Sequence, residues 1–324
     1  MLHLRLIVPS DRTEQVCDLV RNTVGATHLT RLRGAALDPP GDLLTCEVAR
    51  EAADPLLAAL RELGISETGS ISVEPVELTL SKSADRAEDE APGEGADAVL
   101  WESLVEETHE ESSLTVTYLA FLTVATMLAA YGVMLDSSIL IVGAMVVGPE
   151  FGPLAGFCTS LVRRDAALAR RSLVALLIGF PLAVLLTGAF AEILNAVGLF
   201  TQAKFSAPHP ATQFIWQPTA DSFMVAFLAG IAGILSLTSA KSGALVGVAI
   251  SVTTVPAAAN AALAISYTDW HEVWGSTVQL ALNLAGIAMA GTLTLLAQKW
   301  YWASNVQRYP KGLFTRRGPG RAPR

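Results

Sequence analysis

The stretch Gly143–Gly156, with the sequence GAMVVGPEFGPLAG, is the part of the chain that decides its fold. It lies inside a long apolar segment, yet it carries a glutamate between two prolines. A proline inside a helix removes one hydrogen bond and clashes with the preceding turn, which costs about 3 kcal/mol. Lipid offers no partner to the carbonyl groups that are freed, so these groups must face protein or water. The stretch therefore predicts a broken membrane helix whose open backbone faces the inside of the protein.

Glu150 lies near the midpoint of this predicted helix, between Pro149 and Pro153, and Gly148 and Gly152 would let other backbone approach closely. A charged residue at the bilayer centre costs on the order of 3 kcal/mol on insertion scales. No lysine or arginine lies deep in an apolar segment to pair with it. We therefore expect the carboxyl group to face the bundle interior, where it titrates or binds a cation. The alternative is a neutral glutamic acid that only packs the break.

Composition divides the chain into an acidic polar part and a basic apolar part. Only 16% of the 324 residues are charged, whereas a soluble domain has about 25%. Residues 1–113 carry 23 acids and 9 bases, and residues 114–324 carry 7 acids and 13 bases. A membrane-spanning helix needs about 20 mainly apolar residues. Six segments qualify: Leu114–Leu135, Ser137–Val162, Ser172–Val197, Asp221–Ala240, Ser242–Ile265 and Ser276–Lys299.

The lysines and arginines outside these segments predict the orientation. If the helices alternate in direction, twelve of these residues fall on one side and Lys204 alone falls on the other. Basic residues accumulate in cytoplasmic loops. We therefore expect a multi-pass protein of the inner (plasma) membrane with both termini in the cytoplasm.

The first 80 residues have the pattern of a small α+β domain. The predicted order is βαββαβ, which is typical of a ferredoxin-like fold. Its first helix is predicted to be capped by Ser10 or Asp11, and its second to be capped by Asp54 and to end at Gly64.

An acidic stretch from Ser81 to Asp97 follows, and it has too few apolar residues to fold by itself. The next helix is amphipathic and acidic, which favours packing on protein over binding to lipid headgroups. The expected regions are a cytoplasmic ferredoxin-like domain (1–80), an acidic linker with the amphipathic helix (81–113), a six-helix transmembrane domain (114–300) and a basic cytoplasmic tail (301–324).

The six helices form two groups of three, which must be inverted relative to each other if they are repeats. The second helix of each group contains proline and many small residues: SSILIVGAMVVGPEFGPLAG from Ser137 and SGALVGVAISVTTVPAAANA from Ser242. We therefore expect an inverted 3+3 repeat with broken second and fifth helices. Two breaks that meet at the midplane would form the substrate or ion site. The predicted site residues are Gly148, Pro149, Glu150, Gly152, Pro153, Thr253, Thr254, Pro256, Asn260 and Asn283.

Three motifs also resemble a known family. They are IVGAMVVGPEFGPLAG (141–156), LVGVAISVTTVPAAANAAL (245–263) and LNLAGIAMAG (282–291). They resemble the bacterial membrane proteins grouped as domain-of-unknown-function family 389, over essentially Leu114 to Leu296. The resemblance implies the architecture of the membrane part and no particular substrate.

These patterns favour a secondary transporter that moves a small solute or ion through the midplane site. Two alternatives stay open: an ion channel, and a membrane sensor or scaffold whose cytoplasmic domain binds a ligand. Five histidines and three cysteines are dispersed, and the sequence has no nucleotide-binding or hydrolase motif. We therefore expect no enzyme activity, no cofactor and no metal centre. The expected partners are the lipid bilayer, the transported solute or ion and further copies of the chain in a dimer or trimer, without nucleic acid.

Overall fold

A computed structural model describes residues 1–91, 99–239 and 254–308 of the protein, with the backbone alone for 303–308. The chain divides into two compact units. One consists mainly of Met1–Glu102, and the other consists of Ser103–Leu237 and the described part of Lys241–Gln298. Thr253 of the predicted site, the end of the acidic linker and most of the basic tail lie outside the described residues.

The first unit contains a four-stranded antiparallel sheet with the strand order β2-β3-β1-β4. Its elements are β1 (Leu2–Val8), α1 (Thr13–Asn22), β2 (Ala26–Leu37), β3 (Pro40–Val48), α2 (Arg50–Glu62), α3 (Ile65–Thr68) and β4 (Ser70–Pro75). Apolar residues alternate in β1 and are buried, because alternate side chains of a strand point to the same face. Leu4 pairs with Cys46 on one side and with Val73 on the other. The predicted βαββαβ order is therefore observed, with α3 as an additional single turn.

Both predicted helix starts in this unit are wrong. Helix α1 begins at Thr13, and its N-cap is Arg12, which makes no side-chain capping bond. Helix α2 begins at Arg50, so Asp54 lies in its second turn and accepts a hydrogen bond from the Trp101 amide at 3.2 Å instead. Ala52 lies in the first turn of α2 and is buried. The apolar face of the helix therefore begins before Asp54, which explains why the helix starts earlier than predicted.

The acidic linker is also more ordered than its composition predicts. Residues Lys82–Glu90 form a helix, α4, whose Ala84 and Ala87 are buried. The hydroxyl of Ser83 lies 2.6 Å from Nε2 of His28, which is 55 residues away in sequence. Contacts of this kind cannot be read from local composition, which is why the prediction of an unfolded linker fails for this segment.

The second unit is helical. Its elements are α5 (Trp101–Glu111), α6 (Val116–Met134), α7 (Ser138–Val147), α8 (Phe151–Arg163), α9 (Ala166–Ala196), α10 (Gln202–Phe205), α11 (Ala220–Thr238), α12 (Val255–Ser266) and α13 (Trp270–Arg308). Helices α6, α9, α11 and the Trp270–Trp302 part of α13 are each long and apolar enough to cross a membrane. Helices α7 and α8 together form a fifth candidate span with a bend of 56°. These helices are those of a membrane protein, and the predicted fifth span, Ser242–Ile265, is represented by α12 alone in the described part of the chain.

Small residues set how closely the helices of this unit pack. A Cβ atom added at Gly230 of α11 would lie 2.7 Å from the carbonyl oxygen of Ile287 in α13. A Cβ atom added at Gly156 of α8 would lie 3.2 Å from the carbonyl oxygen of Thr108 in α5. Helix α5 therefore packs on protein, as its acidic face predicts. Helix α12 is the most enclosed, with ten successive buried residues from Val255 to Ala264.

Candidate functional site

The predicted break in the second membrane helix is observed between α7 and α8. Helix α7 ends at Val147, and Gly148 is extended, with φ −68° and ψ 128°. Pro149 therefore lies outside both helices, and Pro153 is the third residue of α8. The first amides of a helix have no intrahelical acceptor. Neither proline removes a helical hydrogen bond, so the break avoids the cost that an unbroken helix would have.

Helix α12 begins in the same way. Thr254 is its N-cap, and Pro256 is its second residue, where a missing amide costs no helical hydrogen bond. The sequence predicts one fifth helix from Ser242 to Ile265 with a break near Pro256. The structure describes this range from Thr254 onward, and α12 begins at Val255, next to Pro256.

The two helix starts meet at Glu150. The hydroxyl of Thr254 donates a hydrogen bond of 2.6 Å to Oε1 of Glu150, and both residues are buried, Glu150 with only 1% of its surface exposed. Glu150 is itself the N-cap of α8. Helix N-termini carry a partial positive charge, which stabilises a carboxylate. One buried carboxyl group thus joins the N-termini of two helices that are about a hundred residues apart in sequence.

Tyr118 of α6 adds a hydroxyl near this carboxyl group that the sequence analysis missed. Tyr118 is 5% exposed and lies within electrostatic range of Glu150. Gly179 of α9 makes room for its ring, since a Cβ atom there would lie 2.9 Å from Cε1 of Tyr118. The hydroxyl makes no hydrogen bond to any described residue. A single tyrosine in the first turn of an apolar helix was the only signal in the sequence.

The predicted amides lie in a different polar group. Glu272, Ser276, Gln279 and Asn283 are spaced by four, three and four residues and therefore share one face of α13, which we call the α13 stripe. The Nδ2 group of Asn260 donates to Oε2 of Glu272 at 3.1 Å and to the Ser276 hydroxyl at 2.9 Å. Gln279 donates to Oδ1 of Asn283 at 3.4 Å. The sequence analysis missed three members of the stripe, although their helical spacing was visible.

A cavity of about 310 Å³ lies between the start of α12 and the α13 stripe. Pro256 and Gln279 line it together with the beginning of α11, where Thr219, Asp221 and Ser222 contribute polar groups. Oε1 of Gln279 is buried and has no hydrogen-bond partner among the described residues. The volume lies at the lower end of the range for small-ligand pockets. The cavity is thus lined by a residue with an unused acceptor, Gln279, and by Pro256, which lies two residues beyond Thr254.

Gly152 has a packing role at the same end of α8. A Cβ atom at this position would lie 2.6 Å from Cβ of Glu111 in α5. Burial raises the pKa of the Glu111 carboxyl group, and the nearby charge of Glu107 raises it further. In the described ranges no three histidine, cysteine or acidic side chains are grouped as metal ligands. The groups at the Glu150 contact are therefore its carboxyl group and the hydroxyls of Thr254 and Tyr118, whereas the α13 stripe and the cavity add amides and the carboxyl groups of Glu272 and Asp221.

Residues 145–289 match the family model described as Domain of unknown function (DUF389). The predicted family resemblance is confirmed. The matched range contains Glu150, Thr254 and the whole α13 stripe. An uncharacterised protein of Methanocaldococcus jannaschii is 24% identical over 230 residues, which cover 68% of this chain and 68% of that protein. No solved structure matches the chain significantly.

Proposed function

We propose that the protein is a secondary transporter that moves a small solute or ion through a site at Glu150 and Thr254. The observation that carries the proposal is the 2.6 Å hydrogen bond between these two side chains, where the N-termini of α8 and α12 meet. Discontinuous helices whose ends meet inside the membrane are the usual construction of such transport sites. An acid in a membrane span is expensive to bury and generally marks a proton or ion pathway.

In this proposal Glu150 is the coupling group. Its carboxyl group can accept the Thr254 hydroxyl bond whether it is ionised or protonated, since one oxygen remains an acceptor in both states. A proton or a cation can therefore bind and leave while the two helix ends stay connected. The solute would enter through the cavity lined by Pro256 and Gln279, where an amide oxygen and the hydroxyls at the start of α11 supply polar contacts.

The proposal includes an inverted 3+3 repeat of six helices. The first half would be α6, the bent pair α7–α8 and α9, and the second half α11, a fifth helix that ends in α12, and α13. The starts of α8 and α12 support this pairing, since each follows or contains a proline and each has its N-cap in the Glu150–Thr254 contact. A ferredoxin-like head on the cytoplasmic side and a homo-oligomeric assembly belong to the same proposal.

The experiment compares Glu150→Gln with Glu192→Gln, which removes an acid from an exposed position of α9. The purified proteins are heated in detergent at several pH values with sodium, potassium, magnesium or calcium ions. We expect the wild type and Glu192→Gln to share a pH- or cation-dependent melting temperature that Glu150→Gln lacks.

The same three proteins are then placed in liposomes with an imposed pH gradient, and proton movement is followed with an internal dye while candidate solutes are added. Solute-dependent proton movement should be lost only in Glu150→Gln. If Glu150→Gln kept both the melting behaviour and the flux of the wild type, Glu150 would be structural and the proposal wrong. Unitary currents in planar bilayers would instead identify a channel.

A further inference from the structure

A second cavity, of about 550 Å³, lies on the surface of the membrane unit where α9 begins. Arg170 and Arg171 of α9 and His109 of α5 supply its polar lining. Leu114, at the start of the first predicted span, and Val174, one turn further along α9, supply apolar lining. The cavity thus combines cationic and apolar residues, and it belongs neither to the Glu150 contact nor to the α13 stripe.

Arg171 is held in position by two side chains. Its Nη1 group lies 3.1 Å from Nε2 of His109, and its Nη2 group donates to the hydroxyl of Ser113. A guanidinium group has only donors, so Nε2 of His109 is the acceptor in the first of these bonds. These two bonds use two of the five donors of Arg171, and the remaining donors are available to a ligand.

Neither guanidinium group is neutralised within the described parts of the chain. No ion pair between the described residues involves Arg170 or Arg171. Two adjacent arginines that lack a carboxylate partner favour an anion, and a planar guanidinium group matches the oxygen geometry of a phosphate.

The apolar lining residues, Leu114 and Val174, indicate which class of phosphate compound fits the cavity. Arg170 and Arg171 precede the predicted membrane segment Ser172–Val197, whereas Val174 lies within it, so the cavity crosses the boundary between polar and apolar sequence. A phospholipid has the same division, with a charged headgroup beside acyl chains. A free phosphate would contact the two arginines and would leave Leu114 and Val174 without a ligand contact.

We propose that this cavity binds the headgroup of an anionic phospholipid, with Arg170 and Arg171 on the phosphate and an acyl chain along Leu114 and Val174. Basic pockets between membrane helices are known to hold such headgroups. The bound lipid would link α5, the segment just before α6, and α9, whose residues form the cavity wall.

The test measures binding to the full-length protein in neutral detergent. Short-chain phosphatidylglycerol is titrated, and the rise in melting temperature is recorded. Arg170→Gln/Arg171→Gln should bind this lipid about 30-fold more weakly. Each of the two arginines contributes a similar part of the binding free energy for an anionic headgroup, and the variant loses both parts. Arg163→Gln/Arg164→Gln is the matched control, because it removes the same charge from the C-terminal end of α8, shortly before α9 begins. The single variant Arg170→Gln, which breaks no hydrogen bond or ion pair within the described chain, guards against a folding defect and should bind severalfold more weakly.

The proposal predicts that short-chain phosphatidylcholine, inorganic phosphate and glycerol phosphate have little effect on the wild type. An equal loss in the two double variants would mean diffuse attraction to the basic surface and would overturn the site. Equal stabilisation by phosphatidylcholine would exclude charge recognition. Stabilisation by inorganic phosphate as large as that by phosphatidylglycerol would identify a soluble phosphate ligand and overturn the lipid assignment.

Discussion

Replacing Thr254 with valine tests the contact between the two helix starts most directly. Valine has nearly the same shape as threonine but no hydroxyl, so Glu150 loses its donor while the packing around α12 is retained. Thr254 makes no side-chain capping bond to its own helix, and so the substitution removes no cap. The change therefore acts on one interaction, the 2.6 Å bond to Oε1 of Glu150.

The magnitude follows from burial. Glu150 is 1% exposed, so water does not reach the oxygen that loses its partner. A buried acceptor left without its hydrogen bond costs about 1–3 kcal/mol, and more if the group is charged. For a protein part of about 200 residues, each kcal/mol corresponds to roughly 2–4 °C in melting temperature. We expect Thr254→Val to melt about 2–12 °C below the wild type.

The assay is a double-mutant cycle with Glu150→Leu, which removes the acceptor. The purified proteins are heated in detergent, and unfolding is followed by tryptophan fluorescence. In the Glu150→Leu background Thr254→Val should have almost no further effect, because the bond is already absent, and the coupling should be about 1–3 kcal/mol. An equal loss from Thr254→Val in both backgrounds would refute the reasoning.

Three further predictions concern packing, topology and acid stability. Gly230→Ala should destabilise the protein by about 1–3 kcal/mol in thermal unfolding, because its Cβ atom would meet the α13 backbone. Gly143→Ala is the control and should be neutral or slightly stabilising, because no neighbouring element lies within 4 Å of its Cβ position among the described residues. Single cysteines at Ser206 and Ala166 should react with a membrane-impermeant maleimide from opposite sides of intact cells, since the three native cysteines are buried; labelling of both from outside would contradict the orientation. The amide of Gly34 and the adjacent guanidinium group lower the pKa of Asp42, so its stabilisation is present above the usual value of 3.8 and is lost as the pH falls through the lower folded value. Asp42→Asn should flatten this part of the acid unfolding curve measured by circular dichroism, and an unchanged curve would show that Asp42 does not contribute.

The sequence located the break well because its signals are local. Two prolines four residues apart are costly in the middle of a helix, and an acid such as Glu150 is costly where it faces lipid, and both costs arise whatever the fold. The meeting of Glu150 with Thr254 was predicted from the matching positions of two prolines. It required no knowledge of how the helices pack.

The sequence located the amides less well because their direction depends on tertiary packing. Asn260 points to Glu272 and Ser276 rather than to Glu150, and nothing near Asn260 in sequence indicates this. Glu272 was missed because it precedes the predicted span, which was drawn from Ser276. The helix itself begins at Trp270, since hydropathy predicts where a helix meets lipid and not where it begins.

Helix α9 shows the same difference between a span and a helix. Its apolar segment was predicted from Ser172, but the helix starts at Ala166, where Asp165 accepts hydrogen bonds from the amides of Ala167 and Leu168. Arg170 and Arg171 lie in the part of α9 that precedes this apolar segment. The cavity at these arginines was therefore invisible to hydropathy.

The α13 stripe has an electrical consequence. From Glu272 to Asn283 the chain advances eleven residues, which is about 16 Å along a helix, or roughly half of a hydrocarbon core of about 30 Å. A monovalent cation that moved from one end of the stripe to the other would cross about half of the transmembrane voltage. That displacement corresponds to about 1 kcal/mol per 100 mV, or roughly a sevenfold change in occupancy. If the proposed transport uses this stripe, a change in membrane potential would thereby change its occupancy without any helix having to move.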